Sequence, residues 1–443
     1  MRNILAAVLW VIPFGVLAGN ADTTIANKDI IKQGWNVGPI PFVAYDSDLG
    51  FEYGGVVNFF YYGDGSRYPQ YLHSIYAEVS RYTRGSGVYR LSYDSKFLIP
   101  GIRFTTDITY SPNLAADFYG FNGSESIYHK SWTETSSPDY RSRVFYKMNN
   151  DMFRVFTDFQ GSFNAAPEFR WVLGAAFYRF NVGNVKLSRL DVPESSYGAD
   201  KTLYSKYVDW GLVGQNEKHG GSHFTVKGGV TFDTRDNEPN PMSGIWTDLL
   251  AQYATPSLQN GGAGHLKITA AFRQYFTLIE DDLSFAYRVL FQNVVAGSSP
   301  FYMLPLITTT SLRRSYFDGL GGSQTLRGVL RNRIVGKGIA FANAELRYKF
   351  WRFRFLNQNV YCAINTFFDA GMITQKVDMN LSEVPVAVRN EYFGDGKQRP
   401  HYSLGVGGKV VLNQNFVISG ELGKALRKQD GDVGIYIGAN FLF

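Results

Sequence analysis

The stretch Ile339–Phe350, "IAFANAELRYKF", alternates strictly. Ala340, Ala342, Ala344, Leu346, Tyr348 and Phe350 share one side of an extended chain, and Phe341, Asn343, Glu345, Arg347 and Lys349 share the other. Successive side chains of a strand point to opposite faces. The open question is which face is buried. In a soluble sandwich either could be. Here the polar face carries full charges in the middle of a long strand, which suits a wet lumen. The same alternation recurs in Leu266–Phe276, Leu283–Phe291 and Val433–Phe443. Strands of about ten residues or more can cross a bilayer at a tilt. Lipid tolerates strands only in closed barrels, because every backbone polar group must find a partner. The pattern predicts an all-β, antiparallel transmembrane barrel.

The rest of the chain agrees. Among 443 residues there are 29 Tyr, 35 Phe and 46 Gly, a mixture suited to many strands, tight turns and aromatic girdles. The N-terminus runs Met1-Arg2-Asn3, then apolar Ile4–Leu17, then Gly19-Asn20-Ala21. A positive start, a short apolar run and small residues at its exit read as a signal peptide over 1–21. The run is too short to favour a membrane-spanning helix, and none of that length follows it. Residues 22–38 read as a short periplasmic tail or small plug, and 39–443 as the barrel. Cys362 is the only cysteine, so no intramolecular disulfide forms. A net charge of +6 names no partner, and nothing points to nucleic acid.

Counting alternating segments gives sixteen strands, from Pro41–Asp46 to Val433–Phe443. Parity supports the count. The long connections, 112–140, 181–222, 296–337 and 373–400, then all lie at one end, and the short ones, such as 235–242 and 413–414, at the other. In membrane barrels the long loops face outward and the short turns face the periplasm.

Three stretches carry chemistry. "GLGGSQTLRGVLRNR", Gly319–Arg333, is glycine-rich and basic but lacks the Lys-Ser/Thr of a phosphate loop. "FFDAG" spans Phe367–Gly371, and "FDTRDNEPNPMSG" spans Phe232–Gly244. Together, in this order and at these strand ends, they resemble the BamA/TamA superfamily of outer-membrane barrels, the bacterial surface-antigen family. "FYGFNG", Phe118–Gly123, adds a weaker likeness. Val329 stands where that family usually carries an aromatic residue. The resemblance implies that the loop before the twelfth strand folds back into the lumen. It also implies work on polypeptides or lipids at the bacterial outer membrane. The chain shows no periplasmic polypeptide-binding (POTRA) domains ahead of the barrel, so a separate periplasmic partner is expected.

Alternation turns Asp369 and Glu345 inward. A buried guanidinium needs carboxylate partners and bonds them bidentately. Arg327, beside the small Gly328, is therefore expected to pair with Asp369, with Glu345 nearby, as a lumen latch. Asp233, Arg235, Asp236 and Asn237 read as a hydrogen-bonded periplasmic turn without chemistry. Phe441 and Phe443 end an alternating strand, which resembles a sorting signal read by the barrel-assembly machinery. No His-Glu-x-x-His or Gly-x-Ser-x-Gly motif occurs, and no catalytic residue, metal or cofactor is expected. The leading function is a non-enzymatic barrel that assists insertion or export of proteins or lipids. Expected contacts are outer-membrane lipids, the assembly machinery during its own insertion, and an unidentified client or periplasmic partner. The alternatives are a passive pore for small solutes and a barrel lipid hydrolase.

Overall fold

The four largest fully buried side chains are arginines, Arg273, Arg288, Arg327 and Arg333, while Val289, Phe291, Leu346 and Tyr348 are exposed. Soluble proteins do the reverse. The inversion is that of a barrel whose outer wall meets lipid and whose interior is polar. These observations come from a computed structural model, described here over residues 30–46, 50–192, 202–311, 317–439 and 443. The segment read as a signal peptide, 1–21, lies outside the described residues, as do 22–29 of the tail and Phe441.

The strands are β1 (Trp35–Asp46), β2 (Gly50–Tyr61), β3 (His73–Tyr82), β4 (Gly87–Ile99), β5 (Ile102–Ser111), β6 (Ala116–Asp117), β7 (Lys147–Phe163) and β8 (Ala166–Gly183). They continue as β9 (Gly221–Asp233), β10 (Gly244–Ala254), β11 (His265–Ile279), β12 (Leu283–Gly297), β13 (Gly338–Phe355), β14 (Gln358–Gln375), β15 (His401–Leu412), β16 (Phe416–Ala425) and β17 (Val433–Ala439). β6 is two residues clipped onto the start of β7. The other sixteen form the wall, each antiparallel to the next, with β5 passing directly to β7.

β1 begins at Trp35, inside the segment read as a tail. Pro39 and Pro41 hide this in the sequence, because proline argues against an interior strand. The register with β2 nevertheless runs unbroken through both, and Trp35 packs on Tyr61 at 5.1 Å.

The long connections 112–146, 184–220, 298–337 and 376–400 all leave from one end, as parity requires. They meet in an aromatic dome that includes Phe118, Phe121, Trp132, Tyr204, Tyr207, Phe301 and Tyr392. Phe118 meets Tyr207 edge-on at 5.2 Å, an arrangement that the ring quadrupoles favour. Two short helices, α1 (Leu203–Asp209) and α2 (Val386–Tyr392), lie in this dome. No helix among the described residues is long and apolar enough to cross a membrane. Val289 lies mid-strand on the lipid face of β12. Val289→Arg should therefore cost about 2–4 kcal/mol, measured by reversible denaturant unfolding in lipid.

Candidate functional site: a loop locked inside the barrel

The connection from β12 to β13 does not stay outside. Its apolar residues Leu320, Leu326, Val329 and Ile334 are buried with Leu290, Ile339, Phe341 and Ile373 from the inner wall. That packing holds the loop tip against β13, β14 and β16. Gly328 has φ +100°, and a Cβ there would come within 2.6–2.7 Å of the Lys424 and Gly423 backbone on β16. Only glycine accepts that conformation and that approach. Gly371 has a similar role on the wall, since a Cβ would sit 3.0 Å from Leu326.

With the backbone so placed, Arg327 has no exposure to solvent. Its Nε and Nη2 donate to the two oxygens of Asp369, at 3.0 and 2.8 Å. Its backbone N–H adds a third bond to Asp369, at 3.0 Å. Nη1 donates to Glu345 at 2.6 Å and to Glu421 at 3.1 Å. The guanidinium lies 3.4 Å from the centre of the Phe367 ring, close enough for a cation–π contact. Burial opposes the charge on Arg327. Asp369 and Glu345 outweigh it and raise the pKa above the usual arginine value.

The carboxylates are themselves shared. Asn343 donates to Asp369 at 2.7 Å and to the Thr325 carbonyl at 2.6 Å. Arg288 donates to Asn343 and to the Gln324 carbonyl. Arg347 donates to Glu345 at 2.8 Å, and Lys409 to Glu421 at 2.9 Å. Four cations and three carboxylates thus form one buried network. Tyr436 of β17 accepts the Gly328 N–H at 2.8 Å, tying the loop to the last strand. Nearer the dome, Arg333 donates to the carbonyls of Gly123, Ser126 and Gln429.

This geometry brings together Arg327, Gly328, Asp369 and Glu345. Glu421, Asn343, Arg288, Arg347, Lys409 and Tyr436 were not singled out in the sequence. Inward alternation applied to β16 would have flagged Glu421; register, which places Asn343 beside Asp369, is not visible in one sequence.

Residues 74–442 match the Omp85 superfamily domain. The chain belongs to the Omp85 superfamily. Among solved structures, CdiB from Escherichia coli is similar at a TM-score of 0.51 and 10% identity, over 93% of this chain and 63% of that one. BamA from Haemophilus ducreyi lacking POTRA domains 1–3 is similar at 0.49 and 15%, over 92% of this chain and 70% of that one. This chain therefore spans about two thirds of the length of those structures. No curated protein matches in sequence. The family places the barrel in the bacterial outer membrane.

At the periplasmic end of this Omp85 barrel, the turn 234–243 reaches across the mouth. Arg235 donates to both oxygens of Asp233 at 2.8 Å and stacks 4.0 Å over Trp246. Asp236 accepts the Asn237 and Met242 N–H groups. On one side Glu238 bonds Lys96 and Arg103 of β4 and β5. On the other, Asn237 donates to Gln414 at 3.1 Å and Asn240 to Tyr361 at 2.6 Å. The turn borders a cavity of about 430 Å³. Phe443 lies inside the lumen, against Trp246, Tyr275 and Ala286, and its carbonyl accepts from Arg347 at 3.0 Å. It is not at the lipid interface.

Removing one partner of a buried ion pair leaves the other uncompensated. Arg327→Met should cost about 3–5 kcal/mol and expose the loop to protease. Arg331→Met, whose half-exposed pair with Asp318 is 3.6 Å long, should cost less than about 1 kcal/mol. Denaturant titration of the two variants in lipid checks the contrast.

Burial would raise the pKa of Glu238, but Arg103, Lys96 and Arg235 outweigh it and hold the carboxyl well below its usual range. A depressed carboxylate stabilises above its unfolded pKa and loses that contribution as pH falls through the folded value. The melting-temperature gap between wild type and Glu238→Gln should be constant above about pH 5 and shrink progressively below about pH 4. A pH series of thermal melts measures it.

Proposed function

We propose that this barrel assists insertion or export of proteins, or movement of lipids, at the outer membrane, without enzymatic chemistry of its own. The observation that carries the reading is the seam. Every wall strand is laddered to its chain neighbours, yet among the described residues no backbone pair joins β1 to β17. The sequence gives a physical cause. Gly34 donates to Gly63 at 2.8 Å, and its carbonyl accepts from Tyr62 at 2.9 Å, so Gly34 faces β2. Strand geometry alternates these directions, so even-numbered residues of β1 face β2 and odd-numbered ones face away. Pro39 and Pro41 are odd, and proline has no N–H. Two donors are missing from the edge that would close the barrel.

A seam that lacks donors can part and offer strand edges to an incoming chain or a path to lipid. A solute pore fits less well, because the Arg327 loop crosses the lumen and the aromatic dome covers it. A barrel lipid hydrolase fits less well: Ser124 Oγ lies 3.3 Å from His401 Nε2 and His401 Nδ1 lies 2.8 Å from Asp430, but the His401 and Asp430 side chains are almost wholly buried. Export through residues 1–21 and reading of Phe441 and Phe443 during the barrel's own assembly belong to the same proposal. So do an unidentified client and a separate periplasmic partner, acting in a wall of outer-membrane lipid. The latch would keep the lumen blocked while the seam works.

The test restores the donors. Pro39→Thr with Pro41→Thr allows two more backbone hydrogen bonds of about 1 kcal/mol each, which should lower seam opening ~30-fold. Benzoylphenylalanine at the exposed Ile435 should crosslink an unfolded barrel client in proteoliposomes, and the double threonine variant should lose that yield. Large steady currents in planar bilayers with no client crosslinks would instead identify a pore.

A further inference from the structure

Among the described residues the seam has no ladder, but its periplasmic end is tied. The described pairing of β17 reaches Ala439, and Phe443 lies inside the lumen. The turns below β13–β14 and β15–β16 meet the N-terminal side of the barrel directly. The Asn359 side chain accepts from the Ile30 N–H at 2.9 Å and donates to the Ile30 carbonyl at 3.0 Å. It also donates to Tyr68 at 3.3 Å. The nearly buried Lys32 donates to the Asn357 carbonyl. Asn415 donates to Tyr62 at 2.9 Å and to the Pro69 carbonyl at 2.7 Å. Phe416 of β16 lies over Gly38 of β1, its ring 3.2 Å from the point a Cβ would occupy.

Six hydrogen bonds thus run from residues 30–69 to residues 357–415. All cross the gap between β1 and β17, and all lie at one end of it. We propose that Ile30–Gly34 and the β2–β3 turn form a periplasmic clasp that holds the seam shut, and that the seam opens when Asn359 and Asn415 let go. The inference rests on reading the β1–β17 gap as a working seam. The clasp supplies what the prolines remove: closure through side-chain amides that can be released without unzipping a wall strand. Its members face the periplasm, so a periplasmic partner that competed for Asn359 or Asn415 would open the barrel from that side.

The test uses the full chain in a Cys362→Ser background. Spin labels at Val43 and Ile435 report the width of the seam. Asn359→Leu with Asn415→Leu should raise the wide population at least tenfold, while the barrel keeps its heat-modifiable mobility on gels. Ile30→Cys with Asn359→Cys, when oxidised, should suppress brief openings in planar bilayers, and reductant should restore them. An unchanged distance distribution in the leucine variant, or openings as frequent with the oxidised pair as without it, overturns the clasp. The two readings fail separately. If releasing the clasp widens the seam but Ile435 captures no client, the clasp stands and the assembly function falls. If Ile435 captures client with the seam indifferent to Asn359 and Asn415, the function stands and the clasp falls.

Discussion

One guanidinium organises the inside of this barrel. Arg327 is carried into the lumen on a loop that has no strand partner there, and it stays because three carboxylates from three wall strands surround it. Desolvating an arginine and three acids is costly, and the attraction between them roughly offsets that cost only when the geometry is good and the remaining lone pairs are used. Here they are used: Asn343 and Lys409 share the Asp369 and Glu421 oxygens that Arg327 bonds, and Arg347 takes the second oxygen of Glu345. The network therefore specifies where the loop sits more than it adds stability. Once the loop is fixed, Leu326, Val329 and Ile334 acquire a wall to pack against, and the strands β13, β14 and β16 acquire a common strut.

The same device recurs at lower stakes around the lumen. Arg103 is held bidentately by Asp94, Arg154 by Asp107, Lys227 by Asp158 and Arg273 by Asp248. Each pair joins strands of the inner wall, where the side chains are nearly buried and an unpaired charge would be expensive. The wall strands of a membrane barrel turn most of their apolar residues to lipid, so the interior relies less on a hydrophobic core. Paired charges inside, an aromatic dome above and a polar turn across the periplasmic mouth take that place.

Much of this was legible in the sequence. Alternation through Ile339–Phe350 identified the wall and put Glu345 inside, because period two admits no other placement. Parity of the connections recovered sixteen wall strands. The clipped pair Ala116–Asp117 was not visible, since two residues carry no period. The start of β1 was missed because Pro39 and Pro41 argue against an interior strand, although the register with β2 runs through both. Register was also out of reach. Glu421 comes to Arg327 only because β16 lies beneath the loop tip. Asn237 and Gln414 meet across the mouth although 177 residues separate them. The turn Asp233–Asn237 looked self-contained, because its internal bonds are local and its bridging ones are not.

The two ends of β1 now make a single argument. Toward β17 the strand lacks the two donors at Pro39 and Pro41, so closing the barrel there gains less from backbone bonding. Just before the strand, Ile30 and Lys32 reach past β17 to the turn at Asn357–Asn359. In the proposed seam this pin must release before β1 and β17 part. The opposite end of the seam lies toward the outer leaflet, beside the Tyr436 hydroxyl that holds the Gly328 N–H. Under the proposed opening, motion of β17 would pull on the Arg327 loop through that bond, coupling the seam to the plugged lumen. That coupling follows from two prolines, one amide side chain and one tyrosine, and it needs no element to move except the strand at the edge.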